Sequence, residues 1–184
     1  TMSPEGRGAL SSVRQIVAEV KQHGDGALSE LTARFDQCTL TPAQFRVSEK
    51  EIDAAYEQVD AGLIEAIRVA HDNIERFQRA VLMQEPEPVC GEGVELRMEL
   101  KPVRSVGVYV PGGTAPLCST VLMNAVPARV AGVERIIMTT PPGADGSVSA
   151  DRLVAAREAG IDEVYRLGGA QAVAAMAYGT ETIA

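Results

Sequence analysis

Residues 105–183 alternate between short apolar runs and helix-like stretches, with glycine turns between them. Strand-like runs at 105–110, 134–140 and 162–167 are each followed by a helix-like run, near 117–131, 149–159 and 170–178. This β-α-β-α-β-α order predicts a parallel sheet with right-handed crossovers, since each helix supplies the residues a parallel connection needs. Pro127 conflicts with the first helix and predicts a kink or a split near Ala125. A sheet of this kind is expected to continue beyond Ala184. Thr1 before Met2 suggests a trimmed or engineered start.

The preceding residues have a different texture. Residues 1–104 hold 12 Lys/Arg and 18 Asp/Glu, against five and seven in 105–184. A boundary near Arg104 follows, with Pro102 at the crossing. Four helices are predicted before it. Val13, Ile16, Val17 and Val20 share one face of the first, which Gly24 ends. Asp25 can cap a second helix that carries Leu28, Leu31 and Phe35. Ser48 and Glu51 form a capping box for a third. The fourth runs from about Asp60 to Met83 with the stripe Leu63, Ile67, Ala70, Ile74, Phe77, Val81, read as a core face or an oligomer seam. Residues 94–101, VELRMELK, then alternate as a strand, with Gly91 and Gly93 at its turn. The fold class is therefore α/β: a helical N-terminal region, 1–104, followed by the sheet region 105–184.

The chemistry is concentrated at two glycine turns. Pro111-Gly112-Gly113 ends the first sheet strand, and Gly168-Gly169-Ala170-Gln171-Ala172 follows the third. Open α/β sheets bind ligands at the carboxyl ends of their strands, and helix N-termini there offer free N–H groups to anions. The first turn is not a GxGxxG fingerprint, so it reads either as a ligand cradle or as a structural turn. Tyr109 faces away from Val108 and Val110; it is buried with a bonded hydroxyl, or it lines a pocket and stacks on a flat ring. Gln171 is an exposed amide or a hydrogen-bond partner for a ligand amide or ribose. Ser119 and Thr120 open the helix after the first turn as N-caps or ligand contacts.

Composition narrows the rest. A net charge of −8 with scattered basic residues argues against nucleic acid and anionic membrane as partners. The apolar runs are shorter than the ~20 residues of a membrane span. Cys38, Cys90 and Cys118 are widely spaced and point to a reducing, cytoplasmic setting. His23 and His71 lack ligand-spaced partners, so neither a metal site nor a nucleophile–base pair is legible.

The runs VGVYVPGGTAPLCSTVLMNAVPARVAGVERIIMTTPP and YRLGGAQAVAAMAYGTETI closely resemble the histidinol dehydrogenase family, zinc- and NAD-dependent enzymes of histidine biosynthesis. The run VRQIVAEVKQHGDGALSELTARFD is similar to it too. The resemblance implies two incomplete Rossmann-like domains, the first interrupted by the second. Residues 1–104 would belong to the first, and 105–184 would begin the second, NAD-contacting one. It implies that members are about twice this length, so that this chain is an N-terminal portion. It carries over Tyr109 and Gln171 as NAD contacts. It places the zinc ligands, the catalytic pair and most histidinol contacts after Ala184, and it implies a homodimer for the full-length enzyme. The alternatives are a related zinc-dependent dehydrogenase of another small alcohol, or a stand-alone nucleotide-binding module. The isolated chain is expected to associate through uncovered apolar surface, and neither to bind zinc tightly nor to oxidise histidinol.

Overall fold

A computed structural model describes residues 4–112 and 117–183. Its elements are α1 (Pro4–Phe35), a 3₁₀ turn (Pro42–Gln44), α2 (Glu49–Tyr56), α3 (Ala61–Val81), β1 (Val89–Gly91), β2 (Val94–Leu96), β3 (Ser105–Tyr109), α4 (Cys118–Val130), β4 (Arg135–Thr140), α5 (Ala150–Glu158), β5 (Glu163–Arg166) and α6 (Gly169–Tyr178). Strands β3, β4 and β5 form one parallel sheet, as the alternation predicts, and lie in it in sequence order. Ser105 to Tyr109 pair with Arg135 to Thr139, and Ile137 to Thr140 pair with Glu163 to Arg166.

The period of two along each strand sorts side chains onto opposite faces. Val108, Val110, Ile136, Met138 and Val164 face a core shared with α2, α3, α4 and α5. Ile137, Tyr165 and Leu167 face a second core, against Leu28 and Leu31 of α1 and Ala172 and Ala175 of α6. The sheet is thus covered on both sides, which its continuously apolar strands require. The helices of the first half supply much of that cover.

Local signals place the helices well. Ser48 and Glu51 make the reciprocal capping box of α2: the Glu51 N–H donates to Ser48 Oγ at 3.3 Å, and the Ser48 N–H donates to Glu51 Oε2 at 2.9 Å. Asp60 caps α3 through the Gly62 N–H, at 2.9 Å. Gly24 breaks α1 at φ 50°, ψ −129°, and a side chain there would collide with the Glu181 carboxylate. The segment after α1 adds an element that no periodicity announces. Residues 45–47 bond antiparallel to the outer edge of β5, with Val47 N–H on Val164 O and Arg166 N–H on Phe45 O, both at 2.8 Å.

Four expectations need correction. The strand predicted over 94–101 is only β2, paired with the short β1 in an isolated hairpin, and residues 89–101 are exposed throughout. Alternation continues to Lys101, but the ladder ends at Leu96 for want of a partner. Asp25 does not cap by its side chain. Its N–H donates to Glu181 Oε2 at 2.9 Å and its carboxylate accepts from Thr182 Oγ1, a contact between the ends of the chain. Pro127 does not split α4, which runs through it to Val130; the missing N–H costs one bond near the helix end. Ser119 and Thr120 are not N-caps, because Leu117 occupies that position and both fall in the first turn of α4. Gly113 and the rest of the loop to Pro116 lie outside the described residues, as do Thr1, Met2, Ser3 and Ala184.

Candidate functional site

The carboxyl ends of the three parallel strands lie side by side, and Pro141, just past β4, sits between the two glycine turns. A side chain on Gly112 would come within 3.3 Å of the Pro141 ring; one on Gly168 would come within 2.9 Å of it. The glycines therefore have a packing role: they let the ends of β3 and β5 close on the proline. Pro141 was not singled out in the sequence, because a Pro-Pro-Gly loop reads as a turn and its two glycine neighbours are distant in the chain.

Tyr109 and Gln171, the two candidates from the glycine motifs, are brought together by Gly169. The Tyr109 hydroxyl accepts a hydrogen bond from the Gly169 N–H at 3.2 Å, and the half-buried ring packs against the α1–α6 core. Gln171, in the first turn of α6, is 1% exposed, which excludes the exposed-amide reading. Its Oε1 lies 2.6 Å from where a side chain on Gly169 would begin, so the amide folds back under the turn. Its Nε2 is buried without a hydrogen-bond partner among the described residues. A buried donor left unpaired costs roughly 1–3 kcal/mol, so such an atom points to a partner that completes it.

Asp36, one residue past α1, joins this edge. Its Oδ1 lies 3.0 Å from the position of a Gly168 side chain, and its Oδ2 is buried without a partner among the described residues. Burial holds its carboxyl above the usual aspartate range. Periodicity could not reveal Asp36, since it follows a helix end and meets the sheet only through the fold. The edge thus presents a phenol, an amide and a partly desolvated carboxyl, a set suited to hydrogen-bonding a polar ligand.

Cys38 and Cys118 are not activated. Burial pushes Cys38 upward, and burial followed by the nearby Asp151 charge pushes Cys118 upward. His23 is exposed on α1. His71 meets Asp72 at 3.0 Å on α3, and with Glu75 it forms a group whose ligand atoms lie within 4.8 Å of one another. Glu75 is already bonded to Arg79 at 2.6 Å, and Asp72 is well exposed, so this is a solvated helix face rather than a zinc centre. No described helix is long and apolar enough to cross a membrane.

Comparison with known proteins gives this geometry a family. The family model for histidinol dehydrogenase matches residues 4–184. A histidinol dehydrogenase of Synechococcus sp. is 54% identical over 94% of this chain and 40% of its own length. That of Methanothermobacter thermautotrophicus is 52% identical over 95% of this chain and 40% of its own. The crystal structure of histidinol dehydrogenase from Elizabethkingia anophelis superposes with a TM-score of 0.89 at 40% identity, covering 95% of this chain and 40% of that one. The chain spans about 40% of the length of these relatives. On the match to nearly every residue and the shared arrangement of sheet and helices, the chain belongs to the histidinol dehydrogenase family.

Proposed function

We propose that this chain is the N-terminal part of an enzyme of histidine biosynthesis that oxidises L-histidinol to L-histidine through the aldehyde, with two NAD. The observation that carries the proposal is the approach of Tyr109 and Gln171 to Gly169, the one by a hydrogen bond from its N–H and the other by an amide folded beneath it, on the carboxyl edge of a parallel sheet, in a member of this family. NAD fits the residues present. The orphaned Gln171 Nε2 calls for an acceptor such as a carboxamide or ribose oxygen, and the Tyr109 ring offers a flat surface beside it. Bound NAD would accept the hydride from the alcohol carbon. Tyr109 holds the start of α6 in place, and Gln171 reaches a ligand by rotating out from beneath Gly169. Both residues then orient the nucleotide within the near-contact distance that hydride transfer needs.

Zinc does not fit the described residues, because the one histidine–carboxylate group is a surface face with Glu75 engaged by Arg79. The proposal places the zinc ligands, the catalytic base and most histidinol contacts outside this chain. It assigns residues 1–104 to a first, discontinuous domain and 105–184 to the start of the nucleotide domain, in a cytoplasmic homodimer. The test is to incubate the full-length protein with histidinol and NAD and follow NADH and histidine together. Two NADH per histidine is the expected result. Reduction of NAD by another small alcohol but not by histidinol would sink the substrate assignment.

A further inference from the structure

Gln171 lies at the start of α6, and the far end of that helix is tied down by polar groups that the nucleotide site does not use. After Tyr178 the chain turns back through Gly179, at φ 77°. The Thr180 N–H donates to Ile183 O at 2.7 Å, and the Ile183 N–H donates to Thr180 Oγ1 at 3.1 Å, so the turn closes on itself. Ile183 seats it in the α1–α6 core, and Thr182 O accepts from the Tyr165 hydroxyl at 3.3 Å.

This turn presents Glu181 and Thr182 to the break in α1. Glu181 Oε2 accepts the Asp25 N–H at 2.9 Å, in space that a side chain on Gly24 would fill. Thr182 Oγ1 donates to Asp25 Oδ2. Asp25 is 6% exposed, and its Oδ1 has no partner among the described residues. A buried carboxylate is costly without hydrogen bonds, so the Thr182 hydroxyl matters here more than an exposed threonine would.

Two helical stretches connect this contact to the nucleotide site. From Asp25 the second half of α1 leads to Phe35, with Asp36 beside Gly168; from Gly169 α6 leads back to Tyr178. The 10 residues of α6 span roughly 15 Å at the helical rise. Between its ends α6 gives the shared core mostly methyl groups, from Ala172, Ala174 and Ala175, opposite Leu28 and Leu31. Helices fix their relative position by interlocking ridges, and alanine ridges are shallow, so such a pair is prone to small shear motions. The axial position of α6 then depends on polar contacts at its two ends. Tyr109 makes one at the Gly169 N–H, and Asp25, Glu181 and Thr182 make the other.

We propose that Asp25, Glu181 and Thr182 form a positioning latch, which fixes the register of α6 against α1 and with it the place of Gln171 beside Asp36. The inference rests on the nucleotide reading above. The three are positioning residues and act through α6.

The experiment compares the full-length wild type with four variants. Thr182→Val removes the hydroxyl at nearly constant shape, Thr182→Ser keeps it, and Glu181→Ala changes an exposed position. Ile67→Val trims the opposite core and controls for lost stability. NAD affinity is measured by calorimetry, and amide exchange over residues 166–175 by mass spectrometry. Thr182→Val is expected to weaken NAD about 3- to 30-fold and to speed exchange at the start of α6, with Glu181→Ala moving both in the same direction. Thr182→Ser and Ile67→Val should stay within about 2-fold of wild type. Unchanged exchange in a folded Thr182→Val, or in Glu181→Ala if Thr182→Val does not fold, overturns the latch. Equal weakening of NAD in Ile67→Val overturns it too, since the effect is then one of general stability. Tyr109→Ala separates the two readings. If Tyr109→Ala weakens NAD while Thr182→Val speeds exchange without touching affinity, the latch does not reach the ligand and the proposal fails. If neither variant changes NAD affinity while Thr182→Val speeds exchange, the nucleotide reading fails and the latch on α6 stands.

Discussion

The sheet of β3, β4 and β5 and the arm between α3 and β3 are both rich in alternating apolar residues, and they meet opposite ends. In the sheet Ile136 and Met138 are 0% exposed, and helices cover both faces. In the arm Val89 is 66% exposed, Leu96 63%, Met98 56% and Val103 63%. The exposed side continues through Met83 onto the end of α3, where Phe77 and Val81 are open to solvent. Alternation alone specifies which residues share a face. Whether that face is buried depends on a partner element, and an isolated two-stranded hairpin is marginal in water. The sheet has its partners within 184 residues, and the arm has none among the described residues.

Truncation should separate the two regions most sharply. Phe45 is 0% exposed in the segment that edges β5, so Phe45→Ala is expected to cost about 3–5 kcal/mol. Leu96→Ala in the arm should stay within about 0.5 kcal/mol in this chain. Urea unfolding of the 184-residue polypeptide measures both. Equal losses would mean that the arm is packed and that the contrast is false.

Glycines sharpen the same contrast with a smaller effect. Gly168→Ala puts a methyl group 2.9 Å from Pro141 and 3.0 Å from Asp36, and overpacking of this kind costs about 1–3 kcal/mol. Gly91 in the arm faces open space, so Gly91→Ala should be neutral to within about 0.5 kcal/mol. Thermal melts of the two variants provide the check. A Gly168→Ala protein that melts with wild type would show that the strand ends are not closed on Pro141.

The smallest effect expected is electrostatic. The side-chain bond from Arg68 and the hydroxyl bond from Tyr56 hold Glu158 below the usual glutamate range, against the opposing effect of burial. A carboxyl depressed in the folded state adds stability that is complete above its unfolded value. That stability drains away as the pH falls through the folded value. Glu158→Gln should therefore lower the melting temperature at neutral pH and flatten its decline below pH ~4.5. In the arm both partners of the Arg97–Glu95 pair are about half exposed, so Glu95→Gln should leave the melting curve unchanged. Parallel acid profiles for wild type and Glu158→Gln would remove the link between α2, α3 and α5.

Local patterns carried much of the fold. The capping box at Ser48 and Glu51 and the Asp60 cap need only a few neighbouring residues, so they are readable in one dimension. The parallel pairing of β3, β4 and β5 follows from their alternation with helices. Features made by distant residues were not legible. The edge segment 45–47, the contact of Asp25 and Gly24 with Glu181 and Thr182, and the seating of Pro141 between Gly112 and Gly168 all join positions far apart in the chain. The candidate site divides the same way. Tyr109 and Gln171 were visible because they sit in glycine-turn motifs, whereas Asp36 reaches the edge only through the tertiary fold.

The central claim is that Tyr109 and Gln171 orient a nicotinamide nucleotide at this edge. Calorimetric titration of NAD into the full-length protein, its Tyr109→Ala variant and its Gln171→Ala variant, with zinc content measured on the same samples, tests it most directly. Contacts of this kind are worth about 1–3 kcal/mol, so each variant is expected to raise the NAD dissociation constant roughly 5- to 100-fold while zinc stays bound. Unchanged NAD affinity with zinc lost would contradict the claim.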